Sequence, residues 1–245
     1  MRIGFYGDSF CENYPSCSSE WDTYLKQIAD NYGIERKQIV NFGFGGSSIW
    51  DTILIQFGFH NAFSIEDRTF PDVMVFVWTD ASRLFHRTIR SLNMSSTFNT
   101  EKIASQYNDR MDIIDAAQKY YTHLADFIKE DFAYNAALRY FDQEILSKIS
   151  HRCKIIHLWS FFKPSMEMSS YDSNNYYYRW QNGMEIRPAL IKLSLLGMDK
   201  NKTREIMGAD KRMNHLDGDY KNSLLANTII SAIDNYENGK LITYL

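Results

Sequence analysis

Four short stretches carry side chains able to do chemistry, and their order along the chain is informative. GDSF (7–10) follows directly on the apolar run Ile3 to Tyr6, NFGFGGSS spans 41–48, VWTDASR spans 77–83, and DKRMNHLD spans 210–217. Each has an ordinary structural reading. Glycine turns end strands, Asp and Ser cap helices, and a single histidine is usually structural. Together they place a serine early and His215, one of only six histidines, late. A serine hydroxyl is a poor nucleophile at its free pKa. An ester hydrolase therefore needs a base within about 3 Å of it, and a histidine titrating near neutrality can take that proton and return it.

Such residues need elements that bring them to one place. Residues 2–6 read as a short strand buried on both faces. Ser19 and Asp22 form an N-terminal capping pattern ahead of Trp21, Tyr24, Leu25, Ile28, Ala29 and Tyr32 at helical spacing, with Gly33 at the end. A second strand is expected from Gln38 to Phe42, a helix from Trp50 to Phe59, and a third strand from Asp72 to Trp78, after Pro71. From about 100 to 150 the chain reads as a helical excursion. Ile103, Tyr107, Met111, Ile114, Tyr121, Leu124 and Ile128 form one stripe, and Leu138, Phe141, Ile145 and Ile149 a second. A fourth strand spans Cys153 to Trp159, and about 163–200 reads as an aromatic-rich surface insertion. A closing helix has Leu225, Ile229, Ala232, Ile233 and Tyr236 on one face, with Gly239 after it. Alternating short apolar strands and helices predict a three-layer α/β/α, flavodoxin-like fold with a mostly parallel sheet, formed as one domain over 1–245. Ligands of such sheets bind beyond the carboxyl ends of the strands, where the first three stretches lie.

On these stretches the chain resembles the SGNH (GDSL-type) hydrolase family. Gly7, Asp8 and Ser9 match the nucleophile block. NFGFGGSS resembles the block in which an Asn at a strand end precedes a turn whose later glycine, here Gly46, donates a backbone N–H. NHL, with His215, matches the last block. The resemblance implies that Ser9 is the nucleophile and His215 its base. It also implies ester cleavage through an acyl-enzyme, with no metal or organic cofactor. Two blocks depart from the family. Where it has Gly-x-Asn-Asp, with an amide donating to the oxyanion, this chain has Trp78, Thr79, Asp80 and Ala81. An ionised aspartate cannot donate, so Thr79 would supply a hydroxyl or the hole would be weaker. The acid three before the histidine is replaced by Arg212, and the nearest upstream carboxylate is Asp210. Asp210 is the expected orienting group, with Asn214 or a backbone carbonyl as the alternatives. The expected oxyanion hole comprises Ser9, Gly46, Thr79 and Asp80.

Composition narrows the rest. The chain is 44% apolar with no run of about 18 uncharged apolar residues, so a soluble protein without a membrane partner is expected. A strand expected to begin at residue 2 leaves no room for a signal peptide in this sequence, so the cytoplasm is the default expectation, with export by other routes left open. Cys11, Cys17 and Cys153 have no metal or disulfide spacing, and His60, His86, His123, His151 and His157 are not paired with carboxylates at ligand spacing. A net charge of −3 without a basic block predicts no nucleic-acid partner. Gly43, Gly45 and Gly46 lack the spacing of a phosphate cradle. Among 16 tyrosines, Tyr171 and the run Tyr176, Tyr177, Tyr178 to Trp180 sit beside Asn174, Asn175, Arg179, Gln181 and Asn182. Such a segment suits core or oligomer packing, or contact with sugar rings through Tyr176, Tyr177, Tyr178 and Trp180. The expected partner is a small-molecule or glycan ester, with a carbohydrate O-acetyl ester preferred. The oligomeric state is left open. The alternatives are a catalytically weak or inactive glycan-binding or structural protein of the same fold, and an O-acyltransferase.

Overall fold

The structure is a computed structural model, described over residues 1–11, 24–58, 69–89, 92–100, 103, 107–161, 178–196, 216 and 219–243. Strands β1 (Ile3–Gly7), β2 (Ile39–Asn41), β3 (Val73–Trp78), β4 (Lys154–Trp159), β5 (Met184–Arg187) and β6 (Leu241–Thr243) form one sheet in the order β2-β1-β3-β4-β5-β6. Every pairing is parallel. The expected α/β architecture is therefore present, and its strand order reverses at β1, between β2 and β3.

The central strands are apolar throughout because both faces are covered. Ile3, Phe5, Val73, Val75, Val77, Ile156 and Leu158 face a layer built from helix α1 (Tyr24–Tyr32) and the closing helix Asp219–Asp234. The α1 residues Leu25 and Ile28 are buried there, and full burial of such a side chain contributes about 1.5–3 kcal/mol. On the opposite face Tyr6, Met74, Phe76, Trp78, Ile155 and Trp159 pack against the π-helical segment Asp51–Gln56, the helix Phe127–Tyr140 and a second π-helical segment, Phe141–Ile145. The helical excursion adds a small core of its own, with Ile89, Leu92, Ile103, Tyr107, Ile114 and Ala117.

Two strands correct the sequence reading. β5 lies inside the stretch expected to be a surface insertion, and Met184, Glu185 and Ile186 on it are buried. Glu185 is tolerated there because Trp159 Nε1 and Arg187 Nε both donate to its Oε1 at 2.8 Å. β6 was not expected. It is a short edge strand beside β5 with mostly exposed side chains.

Candidate active site

The first turn is built by a strand that ends where no side chain fits. Gly7 has φ +149°, and a Cβ there would lie 2.8 Å from Val77 Cβ on the neighbouring strand. Gln56 then clamps it from the π-helical segment: Oε1 accepts from Gly7 N–H at 2.6 Å, and Nε2 donates to the Gly7 carbonyl at 2.8 Å and to Ser47 Oγ at 3.0 Å. Beyond Gly7 the chain turns over Asp8. Phe10 N–H donates to Asp8 Oδ1 at 3.1 Å, Cys11 N–H to the Asp8 carbonyl at 3.0 Å, and the Tyr24 hydroxyl to the Phe10 carbonyl at 2.9 Å. Ser9 sits at the tip of this braced turn. It is 6% exposed, and its Oγ has no hydrogen-bond partner among the described residues.

The turn after β2 is fastened to the turn after β1. Asn41 Oδ1 accepts from Gly43 N–H at 2.9 Å, and Asn41 Nδ2 donates to the Cys11 carbonyl. A Cβ on Gly43 would overlap Cys11 Cβ, so the two turns touch only because Gly43 has none. Phe44 N–H donates to the Gly7 carbonyl at 3.1 Å, and Ser47 N–H to the Phe44 carbonyl at 3.1 Å. Within that tight turn Gly46 adopts φ +77°, a conformation that favours glycine.

In the third turn Asp80 faces its own loop. Its Oδ1 accepts from Ser82 N–H at 2.9 Å and from the Ser82 hydroxyl, and its Oδ2 lies 3.5 Å from Arg83 Nε. The side chain that is buried without a hydrogen-bond partner among the described residues is Thr79, through Oγ1, while its carbonyl accepts from the Tyr134 hydroxyl. Of the two residues expected in place of a donor amide, Asp80 is engaged within its own loop, while the Thr79 hydroxyl makes no hydrogen bond among the described residues and lies near Asp8. Ser160, at the carboxyl end of β4, is a third buried hydroxyl without a described hydrogen-bond partner.

Electrostatics centre on Asp8, which is fully buried. Burial pushes its carboxyl above the usual carboxylate range, and Arg83, with Nη1 3.5 Å from Oδ2, opposes that shift. The Ser160 and Thr79 hydroxyls lie near enough to favour the ionised form, although neither makes a hydrogen bond of ordinary geometry with Oδ2. Burial, and then the charge of Asp8, push the Cys11 thiol well up, which removes it as a nucleophile at neutral pH. His157 is no part of this site. Its Nδ1 accepts from Trp78 Nε1 at 3.0 Å, and its Nε2–H faces the Asn182 carbonyl at 2.9 Å. Burial pushes its pKa down to about 3, which makes it a neutral core histidine.

Ser9, Gly46, Thr79 and Asp80 all lie at the carboxyl ends of β1, β2 and β3, where the strand order reverses. Asp210, Asn214, His215, Tyr176 and Tyr177 lie outside the described residues. Tyr178 and Trp180 differ from the glycan-contact reading. The Tyr178 hydroxyl donates to the buried Asp142 at 2.9 Å, and its ring meets Trp180 edge-on. Trp180 is 3% exposed and stacks on His157 at 3.9 Å and on Trp78 at 4.8 Å. Both are packing residues, held where the 178–182 segment meets Asp142. Three residues of the site were overlooked as participants, Ser47, Gln56 and Ser160, and Arg83 was expected only as a partner of Asp80. Of these, Ser47 and Ser160 left a signal, since each follows a strand on the side where ligands bind, and Gln56 left none. No group of three or more His, Cys, Asp or Glu placed to hold a metal occurs among the described residues.

No family model matches the chain, and no curated protein does. Among solved structures the chain is similar to an acetyl xylan esterase, AlAXEase, at 13% identity over 95% of this chain and 100% of that chain, with a TM-score of 0.39. A likeness at that level leaves function to be argued from the site.

Proposed function

We propose that the protein is a serine ester hydrolase of the SGNH type. Ser9 Oγ attacks the ester carbonyl while His215, oriented by Asp210, takes the hydroxyl proton. The tetrahedral intermediate collapses to an acyl-serine, and the alcohol leaves with that proton. Water, deprotonated by the same histidine, then releases the acid and restores the serine. The N–H groups of Ser9 and Gly46 and the Thr79 hydroxyl stabilise the oxyanion, and donors of this kind contribute about 3 kcal/mol each when tested by removal. Carbohydrate O-acetyl esters are the preferred substrate class, on the strength of Tyr171, Tyr176 and Tyr177 beside Asn174 and Asn175 in the sequence, Tyr178 and Trp180 being held in packing.

The observation that carries this reading is Ser9 itself: a buried hydroxyl with no hydrogen-bond partner among the described residues, at the tip of a turn braced on both sides, where the sheet reverses. A structural serine at a turn normally has its hydroxyl hydrogen-bonded. The test is covalent labelling of the purified protein by a fluorophosphonate, with hydrolysis of p-nitrophenyl acetate measured in parallel. Ser9→Ala is expected to abolish both and to leave stability unchanged or slightly higher, because it removes an unsatisfied buried oxygen. Labelling and turnover that survive in Ser9→Ala would refute the assignment. Labelling of wild type without hydrolysis would direct the acyl group to a sugar hydroxyl instead of water.

A further inference from the structure

Arg83 reaches four loops at the carboxyl end of the sheet. From the loop after β3 its Nη1 lies 3.5 Å from Asp8 Oδ2 and donates at 3.0 Å to the Ser47 carbonyl in the turn after β2. Its Nε lies 3.5 Å from Asp80 Oδ2 in its own loop, and its Cζ sits 5.4 Å from the ring centroid of Phe161, which follows β4. The Ser47 contact is a hydrogen bond and those to Asp8 and Asp80 are ion pairs without one, and a planar guanidinium fork with its charge spread over three nitrogens can hold such partners in several directions at once. Asp8, the residue immediately before Ser9, depends on this contact. Thr79, Ser160, Cys11 and Tyr24 also face it, and Asp80 lies across the guanidinium. Among these only Arg83 is cationic.

We propose that Arg83 is a positioning residue for the reaction at Ser9, pairing with Asp8 and so holding the turn that presents the nucleophile against the loops after β2, β3 and β4. The proposal rests on the reading of Ser9 as nucleophile. Its physical basis is that an ionised Asp8 accepts the Phe10 N–H that shapes the turn, whereas burial alone favours the neutral acid, a weaker acceptor. With Arg83 gone, Asp8 takes up a proton at higher pH and the turn loses its brace.

The test compares wild type with Arg83→Met and Arg83→Lys in the full chain carrying 13C-labelled aspartate, with the Asp8 carboxyl resonance identified by its loss in Asp8→Asn. In Arg83→Met the Asp8 midpoint is expected to rise by about one pH unit or more, a tenfold change in proton affinity. Arg83→Lys, which keeps the charge but not the fork, should shift it less and in the same direction. The rate of fluorophosphonate labelling of Ser9 should fall at least about tenfold in Arg83→Met where Asp8 is protonated, and recover as Asp8 ionises. An unmoved Asp8 midpoint, or a labelling rate reduced by the same factor at every pH, would overturn the proposal. If Arg83→Met fails to fold, an unshifted midpoint in Arg83→Lys has the same force. A wild-type protein that is not labelled at all would remove the nucleophile reading, and the Asp8 titration would then decide the pairing by itself.

Discussion

Thr79 and Asp80 occupy the place where a donor amide would be expected, and their side chains have different fates. Asp80 binds Ser82 and Arg83 within its own loop, so restoring an amide by Asp80→Asn only weakens an ion pair. The expected outcome is unchanged or lower ester hydrolysis. Thr79→Val keeps the shape and removes a buried hydroxyl that has no described hydrogen-bond partner. It should lower kcat at least about tenfold, equivalent to 1.4 kcal/mol of transition-state stabilisation, with melting temperature unchanged or raised. A tenfold gain in Asp80→Asn, with Thr79→Val silent, would place the carboxylate in the hole instead. Sequence could name this pair but not choose between them, because the choice depends on a hydrogen bond to Ser82 and a guanidinium reaching back over Asp8. The same holds for Trp180. Its neighbours in the sequence are amides and an arginine, and its neighbours in space are His157 and Trp78.

Periodicity located most of the buried helical faces, and failed chiefly where one helix stopped and another began. In the closing helix Leu225, Ile229, Ala232 and Ile233 are buried as their spacing implied, and so are Leu138, Phe141, Ile145 and Ile149. The longer stripe of the excursion holds at Ile103, Tyr107, Ile114 and Tyr121, whereas Met111, Leu124 and Ile128 are 41%, 69% and 72% exposed. The helix Met111–His123 stops there, and Asp126 starts the next one by accepting from Ile128 and Lys129 N–H at 2.9 and 3.1 Å, which resets the count of residues per turn. Asp126→Ala should therefore cost about 1 kcal/mol in denaturant unfolding and leave Ser9 labelling intact. A loss of labelling would mean that the excursion bears on the site. The segment after Trp50 reads as an ordinary helix, yet Asp51–Gln56 is π-helical. Nothing in its residue types distinguishes the two windings, although the observed one delivers Gln56 to Gly7.

For the molecule as a whole, stability should depend on pH through His157. Its pKa is about 3 when folded and near 6.5 when free, so between those values the unfolded chain binds a proton that the native protein does not. Stability from this group is then complete above pH 6.5 and is lost as pH falls towards 3, by about 2 kcal/mol between pH 7 and pH 5. Urea unfolding at the two pH values measures it, and His157→Gln should flatten the difference. An equal slope in the variant would assign the dependence to other groups. The first four strands, their parallel pairing and the turns after the first three were legible in the sequence alone, because short apolar runs, glycines and helical spacing are local and each constrains the chain within a few residues, whereas β5 and β6 were not. The tertiary structure decided which polar groups meet. Glu185 is buried in a strand because Trp159 and Arg187 satisfy it, Arg83 joins loops from four strands, and the Thr79 and Ser160 hydroxyls come near the buried Asp8. Many of these pairings link residues far apart in the chain, and a buried charge or hydroxyl is acceptable only once its partners have arrived, which no local pattern records.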